Sequence, residues 1–264
     1  MGILEARIAL ITGGNSGIGR AAALAFAREG AKVVIAARRI DQGEETAHEI
    51  AQAGGDCIFI RADVSKPKEV EELVSKTVTK YGRIDCAFNN AAIEGALKPL
   101  TDFTEEEFDN IINVNLKGVW LCLKHEIQQM VRQEPSGGAI VNTSSVNGLG
   151  GVRQGSLYAT TKAGVLALTK SAAQEFAQHG IRINALVAGA FRTPMLERVF
   201  DIVSQGNVEA GNNPEAQYSQ MIPIGRIGSP EEAAETALWL CSDAASYVTG
   251  HSMIVDGGFT AWAR

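Results

Sequence analysis

Short apolar segments alternate with amphipathic segments along most of the chain. Apolar runs predict strands at residues 7–12, 32–37, 57–60, 84–88, 138–143, 181–186 and 253–256. Apolar residues at helical spacing predict helices over 20–29, 41–53, 67–81, 156–178 and 230–242, and another from 104 toward 131. Strands that alternate with helices form parallel sheets with right-handed crossovers. We therefore predict an α/β fold: a Rossmann-like, doubly wound, seven-stranded parallel sheet flanked by helices.

A glycine-rich turn joins the first strand to the first helix. Strand, glycine turn and helix together form the geometry that binds a dinucleotide pyrophosphate, because glycines allow close backbone approach and the helix N-terminus attracts phosphate. A purely structural turn is the alternative. The predicted contacts are Gly13, Asn15, Ser16, Gly17, Ile18 and Gly19.

The end of the second strand carries a signal for cofactor choice. NAD-binding units place an acid about 20 residues past the glycines. Ala37 and Arg38 stand there instead, followed by Arg39. A guanidinium suits a 2′-phosphate, so we predict NADPH, with NAD as the alternative and a solvated loop charge as the other interpretation of Arg38.

Polar residues follow the next two strands, where ligands of such sheets bind. Asp63-Val64 comes after the third strand, and Asn89 with Ala91 after the fourth. Farther along, Asn115 interrupts a helical pattern that disfavours it. An exposed or capping Asn115 is the preferred interpretation from the pattern alone, and a local kink that turns it into a site is the alternative.

The chemistry is predicted around Tyr158 and Lys162. They are four residues apart, so they share one face of a helix. An ammonium beside a phenol favours phenolate and moves the pKa of Tyr158 down from about 10. Ser145 ends the fifth strand 13 residues earlier. A half-buried tyrosine beside a snorkelling lysine is the alternative interpretation.

The stretch from about residue 195 to 220 mixes apolar residues with Gly, Asn and Pro. Such a polar insertion at the carboxyl edge suits a substrate lid, and loops of this length are usually functional or disordered. Its side chains and the glycine-rich loop after the fifth strand predict a pocket for a modest apolar ketone. The candidate lining residues are Ser145, Leu149, Val152, Met195 and Leu196.

Composition narrows the class of protein. The 264 residues are 45% apolar, and the net charge of −6 is spread along the chain, which argues against a nucleic-acid partner. The four cysteines lack CxxC spacing, which predicts reduced thiols and no metal site. No signal peptide or transmembrane pattern is present. We expect one cytoplasmic domain over 1–264 that binds no membrane.

With these residues together, the sequence resembles the short-chain dehydrogenase/reductase family along nearly its whole length, and most of all the branch with 3-oxoacyl-carrier-protein reductases and glucose 1-dehydrogenases. The matching features are Thr12-Gly13-x3-Gly17-Ile18-Gly19, Asp63, Asn89-Asn90-Ala91, Asn115, Ser145, Tyr158-x3-Lys162, Asn184 and Thr193.

The resemblance implies a role for each matching residue. Tyr158 would be the general acid/base, Lys162 would lower its pKa and hold the nicotinamide ribose, Ser145 would bind the substrate oxygen, and Asn115 would hold a relay water. It also implies cofactor contacts, a homotetramer and a small carbonyl or alcohol substrate. The cofactor contacts are the glycines on the pyrophosphate, Asp63 on the adenine, Asn89 on the adenosine, and Thr193 in the Gly189 loop on the carboxamide.

The sequence departs from the family pattern at two positions. Ala92 replaces the usual Gly after Asn-Asn-Ala, and Ala188 replaces the usual Pro before Gly189. The first restricts φ and the second loosens the turn. The alternative functions are an NAD-dependent sugar or polyol dehydrogenase and a non-catalytic nucleotide-binding scaffold.

Overall fold

The predicted sheet is present, with all seven strands parallel. The computed structural model describes residues 2–206 and 213–261. The strand order is β3-β2-β1-β4-β5-β6-β7. The strands are β1 (Ile8–Thr12), β2 (Lys32–Ala37), β3 (Cys57–Arg61), β4 (Cys86–Asn89), β5 (Gly138–Ser145), β6 (Ile181–Ala188) and β7 (Ser252–Val255).

Helices connect the strands and cover both faces of the sheet, which is why the strands are almost continuously apolar. The helices are α1 (Gly17–Arg28), α2 (Ile40–Gln52), α3 (Pro67–Tyr81), α4 (Glu105–Ile112), α5 (Gly118–Arg132), α6 (Ser156–Phe176), α7 (Pro194–Gly206), α8 (Pro214–Met221) and α9 (Pro230–Cys241). On β1, Ala9 and Ile11 pack toward the layer that contains α1 and α9, whereas Leu10 packs toward α3, α5 and α6.

Local sequence signals set several helix ends. Thr104 caps α4 by accepting a hydrogen bond from the Glu107 backbone N–H at 3.2 Å, and the Glu107 carboxylate accepts from the Thr104 N–H at 2.8 Å. This reciprocal capping box starts the helix where the sequence predicts. Gly82 ends α3 in the left-handed conformation, with φ of 88°.

Two predicted segments differ from the structure. The single helix from 104 toward 131 is divided into α4, a π-helical turn at Asn113–Lys117, and α5. The 195–220 insertion is not an irregular loop over its described part, because α7 and α8 occupy most of it. Residues 207–212 of that predicted lid lie outside the described residues.

The strand order reverses between β1 and β4, which opens a crevice at the carboxyl edge of the sheet. The turn after β1 and the tip of β4 meet there, and β5 lies beside β4. Within 2–206 and 213–261, no helix combines the length and apolar character needed to span a bilayer.

Candidate active site

The turn after β1 forms a backbone cradle. Gly13 and Gly17 have φ of 69° and 52°, which disfavour a side chain. A Cβ at Gly19 would lie 2.3 Å from the Gly13 carbonyl oxygen. Helix α1 begins here, the Ser16 side chain does not cap it, and its first turn carries no acid. These features fit the pyrophosphate of a dinucleotide.

The arginines after β2 lie beside this cradle. The Arg39 guanidinium donates to the Ser16 hydroxyl at 3.1 Å. With the Asn15 amide turned so that its oxygen faces Arg39, that oxygen accepts from Nε and Nη2 at 3.0 Å each. The pair Asn15 and Ser16 is therefore an anchor for Arg39, and Arg38 is exposed next to it.

Asp63 stands at the end of β3, near Arg38. Burial tends to raise the pKa of Asp63, but hydrogen bonds from the Ser65 N–H and hydroxyl, together with the charge of Arg38, leave that pKa below its ordinary value. Val64 is buried against α5, since a Cβ at Gly118 would approach its Cγ2 to 2.9 Å. Asp63 is thus a carboxylate at the cofactor edge, and Val64 packs behind it.

The tip of β4 lies directly against the cradle. Thr12 accepts hydrogen bonds from the backbone N–H groups of Asn90 and Ala91 at 3.0 and 3.2 Å. A Cβ at Gly13 would come within 3.0 Å of the Ala91 Cα. The backbone of Ala91 therefore borders the predicted pyrophosphate site.

The Asn89 side chain points away from that edge and into the protein. Its amide donates to the Glu126 carboxyl at 2.9 Å and to the Asn142 side-chain oxygen at 3.0 Å. Asn89 is 2% exposed, and in this position its side chain is turned away from the predicted adenosine site. Its contact with the adenosine stays a prediction.

Ser145, Tyr158 and Lys162 come together at the end of β5. The Lys162 ammonium donates to the Thr143 carbonyl at 2.9 Å and stands 5.6 Å from the centre of the Tyr158 ring. The Ser145 hydroxyl interacts with the Tyr158 hydroxyl and favours its ionised form. The helix face and the strand end predicted from sequence therefore meet at one point.

The pKa values differ from the sequence prediction. Burial raises the pKa of Tyr158 to about 12, even though Ser145 acts in the opposite direction. Burial also lowers the pKa of Lys162 to about 8. Desolvation of the phenolate thus dominates the pKa of Tyr158 here, and the lowering of that pKa by Lys162 stays a prediction.

Asn115 lies inside the π-helical turn and is fully buried. Its amide receives a hydrogen bond from the Ile93 N–H and donates one to the Ile93 carbonyl, both at 2.8 Å. It also lies 3.5 Å from the Thr161 hydroxyl of α6. The preferred interpretation, an exposed or capping Asn115, is wrong, because the widened turn directs the side chain inward. That Asn115 serves a site stays a prediction.

The loop after β6 completes the cofactor side. Gly189 donates to the Val255 carbonyl at 2.9 Å, and a Cβ there would lie 2.6 Å from the Asp256 Cα. Thr193 lies over the glycine turn, since a Cβ at Gly17 would approach its Cγ2 to 3.1 Å. Thr193 thus lies beside the predicted pyrophosphate site, and its contact with the carboxamide stays a prediction.

The two departures from the family pattern leave the backbone unstrained. Among the described residues, only Ala6 and Gln154 are non-glycine residues with positive φ, so Ala92 needs no glycine. Ala188 ends β6, paired with Ser145 on one side and Val255 on the other. The strand ladder fixes this segment where the family's Pro would stiffen it.

The candidate substrate side is apolar and partly open. A cavity of about 770 Å³ has Leu149 in its lining, together with Met221, Ile254 and Phe259. Val152 is 36% exposed and, like Met195 and Leu196, does not line this cavity. The structure therefore separates the predicted pocket residues, with Leu149 on the cavity and Ser145 beside Tyr158.

An aromatic group formed by α7, α8 and the segment after β7 lies near Tyr158. Tyr218 of α8 stacks on Phe259 with ring centres 6.2 Å apart and meets Phe200 of α7 edge-on at 5.8 Å. Its hydroxyl is near enough to raise the pKa of Tyr158, as is Glu94 from the loop after β4. Sequence reasoning passed over Glu94, because a lone acid after a strand carries no pattern.

Comparisons with known proteins agree with this geometry. The family model described as enoyl-(acyl carrier protein) reductase matches residues 13–260. The chain is 41% identical over 261 residues to 2,5-dichloro-2,5-cyclohexadiene-1,4-diol dehydrogenase of Sphingobium indicum, covering 99% of this chain and 100% of the relative. It is 36% identical to cyclohexanol dehydrogenase of an Acinetobacter species, covering 97% and 95%.

Among solved structures, that of levodione reductase superposes with a TM-score of 0.92 at 39% identity, covering 97% of this chain and 98% of that one. Fold and site define an oxidoreductase that acts on alcohols or ketones with a nicotinamide nucleotide, NAD or NADP. The chain belongs to the short-chain dehydrogenase/reductase family.

Proposed function

We propose that this protein is an NADP(H)-dependent oxidoreductase that interconverts a ketone and a secondary alcohol, with Tyr158 as the general acid/base. The observation that carries the proposal is the convergence of the Ser145 hydroxyl, the Tyr158 hydroxyl and the Lys162 ammonium at the carboxyl end of β5. They lie at the same sheet edge as the glycine cradle.

Each group has a task that its position permits. A bound nicotinamide nucleotide supplies or accepts the hydride at the substrate carbon. In the direction of reduction, Tyr158 donates its proton to the carbonyl oxygen while Ser145 donates a hydrogen bond to that oxygen. In oxidation the proton returns to Tyr158. Lys162 lies beside Tyr158, where its ammonium helps to orient the site, and Asn115 holds the Ile93 backbone next to it.

The high pKa of Tyr158 suits the reducing direction. A phenol with a pKa of about 12 holds its proton at neutral pH and can donate it to a developing alkoxide. Oxidation needs the phenolate, so we expect its rate to rise with pH over the alkaline range.

We propose an alicyclic ketone or alcohol as the substrate. The apolar cavity beside Leu149 and the aromatic group of Phe200, Tyr218 and Phe259 provide surface for a ring, whereas the sugar or polyol alternative calls for more polar partners. Two relatives are named for cyclohexadienediol and cyclohexanol substrates.

The first test is consumption of NADPH or NADH with purified protein and a panel of cyclic ketones, open-chain ketones and sugars. We expect turnover of cyclic ketones above the others. Binding of both nucleotides without turnover of any carbonyl would instead support the scaffold alternative. Turnover of sugars alone would support the dehydrogenase alternative.

The preference for NADP rests on the basic residues after β2. Ala37 provides no carboxylate for ribose hydroxyls, while Arg38 and Arg39 flank the cradle. A charged hydrogen bond contributes about 1.5–3 kcal/mol, so Arg38→Gln should lower kcat/KM for NADPH roughly 10- to 100-fold. The same variant assayed with NADH is the matched control and should be unchanged. Equal losses with both nucleotides would refute the assignment.

We also propose a homotetramer. Phe108 on α4, Trp120 on α5 and Ile254 on β7 are large apolar side chains that are 44–46% exposed, on elements that the family resemblance assigns to subunit contacts. Size-exclusion chromatography with light scattering tests this proposal, and a mass near 28.0 kDa would contradict it.

A further inference from the structure

An ion pair joins two segments that are far apart in sequence and lie on either side of the substrate region. The Arg198 guanidinium of α7 contacts the Glu94 carboxylate with Nε at 2.5 Å and Nη2 at 3.3 Å. Two contacts from one guanidinium to one carboxylate fix both distance and orientation. Glu94 is 23% exposed and Arg198 51%, so this pair is partly shielded from solvent.

Both ends of the ion pair are attached to the candidate active site. Ile93, next to Glu94, is held through its N–H and its carbonyl by the Asn115 amide. Arg198 lies one turn beyond Thr193, whose hydroxyl and carbonyl accept hydrogen bonds from the start of α7. The ion pair therefore connects the loop after β4, which the Asn115 amide holds, to helix α7, which begins next to Thr193.

The Glu94 carboxylate also acts on the proton of Tyr158. Four groups act on or face Tyr158: Ser145 from β5, Lys162 from its own helix, Glu94 from the loop after β4, and Tyr218 from α8. Glu94 raises the pKa of Tyr158 because a nearby negative charge opposes phenolate formation. Arg198 compensates that charge directly.

We propose that Glu94 and Arg198 are positioning residues, and that their ion pair both holds α7 against the loop after β4 and weakens the effect of the Glu94 charge at the Tyr158 hydroxyl. This inference rests on the proposed function, in which Tyr158 exchanges the proton. While the pair is intact, α7 is held against the loop after β4, and the charge of Glu94 opposes ionisation of Tyr158 less than it would without Arg198. The contact between α7 and the loop after β4 is thus coupled to the proton transfer by Tyr158.

The coupling predicts opposite effects from two variants that break the same contact. Glu94→Gln removes the negative charge near Tyr158 and leaves Arg198 positive, so the apparent pKa for alcohol oxidation should fall. Arg198→Gln leaves the Glu94 carboxylate uncompensated, so that pKa should rise. At an effective dielectric of about 20 to 40, each shift should be about 0.5–1 pH unit. The measurement is kcat/KM for oxidation against pH.

A purely structural role predicts a different result. Both single variants lose the same contact, so a structural role alone would raise KM in both and leave the pH profile in place. The double variant Glu94→Gln/Arg198→Gln separates the two effects. We expect its pH profile to return near that of the wild type, while its KM stays as high as in the single variants.

The ion pair between Arg28 and Glu235 supplies matched controls. It joins helices α1 and α9, with Nη2 and Oε1 2.7 Å apart. Arg28 is the last residue of α1, so it lies toward the opposite edge of the sheet from the site. Arg28→Gln and Glu235→Gln change net charge by the same amounts and should leave the pH profile and KM unchanged.

The outcomes distinguish failure of this inference from failure of the proposed function. If the wild type oxidises no alcohol, or if Tyr158→Phe stays fully active, the proposed function fails. If turnover depends on Tyr158 but both single variants shift the profile in the same direction, or leave it unshifted, the ion-pair inference is refuted. Thermal melts of each variant verify that the comparison is made on folded protein.

Discussion

Two charged side chains are completely enclosed on neighbouring helices, and they serve different ends. Lys162 on α6 reaches the Thr143 carbonyl and lies next to Tyr158. Glu126 on α5 reaches only the Asn89 amide, and one of its oxygens has no partner in the described structure. Burial lowers the pKa of Lys162 to about 8 and raises the pKa of Glu126 to about 7.

Lys162 and Glu126 differ in the residues with which they interact. Lys162 lies in the cluster with Ser145 and Tyr158, to which the proposed function assigns the proton transfer. Glu126 belongs to a chain of amides that runs to Asn142 and then to Thr169 of α6, with Asn142 and Thr169 3.0 Å apart. Equal burial therefore does not imply equal function. Substitution of Lys162 should mainly change turnover, and substitution of Glu126 should mainly change stability.

The largest effect is expected at Tyr158. Tyr158→Phe removes the proton donor and keeps the ring, so kcat should fall by about a thousandfold or more, as for a general acid that also stabilises the transition-state oxygen. Nucleotide binding, measured by fluorescence titration, should be unchanged. An active Phe variant would show that the proton comes from another group.

Glu126 should affect stability as a function of pH. Its pKa is about 7 in the folded protein and 4.5 without the burial, so the folded chain keeps a proton that the unfolded chain has lost between those values. The free energy of unfolding therefore falls as pH rises through this window, by about 3 kcal/mol in total.

Glu126→Gln removes this titration. The free energy of unfolding of the variant, relative to that of the wild type, should increase by about 3 kcal/mol from pH 4.5 to pH 8. Urea denaturation at several pH values measures the difference. A difference that does not vary with pH would mean that Glu126 is already charged in the folded state at low pH.

Substitution of Lys162, in contrast to that of Glu126, should lower activity and leave stability nearly unchanged. Lys162→Met removes the ammonium beside Tyr158 but fills the same volume, so kcat/KM should fall roughly a hundredfold. Replacing a buried charge by an apolar side chain is often neutral for stability, so the melting temperature should change little. Lys170→Met, at an exposed position on the same helix, is the control and should change neither.

The smallest effect is expected at Thr169. Thr169→Val deletes the hydroxyl that accepts from Asn142 and leaves the shape nearly unchanged. A buried amide without its acceptor costs about 1–3 kcal/mol, which denaturation measures directly. Turnover should stay at the level of the wild type, and a large loss would mean that the amide chain supports catalysis.

The sequence predicted the fold, and the proximity of Ser145, Tyr158 and Lys162, for reasons that are local. Apolar strands at regular spacing require a parallel sheet, and residues four apart on a helix must share a face, which placed Tyr158 with Lys162. Ser145 followed from the position of a strand end. Each of these inferences depends on short-range geometry.

The remaining features depend on distance and environment. Glu94 and Arg198 are 104 residues apart, so no local pattern links them. Glu126 sits among polar residues in an amphipathic helix and carries no mark of burial in the sequence. The rise in the pKa of Tyr158 comes from desolvation, which depends on everything packed around it.

The π-helical turn at Asn113–Lys117 has a consequence for the length of the chain. It inserts one residue more than an α-helix would use, so α4 and α5 form a single rod whose two halves differ in rotational phase by about 100°. A one-residue deletion would bring the halves back into phase, and Asn115 would swing off Ile93 while every buried position of α4 rotated with it. Substitutions keep the phase and a deletion resets it, so the spacing between these two helices is a more sensitive determinant of the site than most of their side chains.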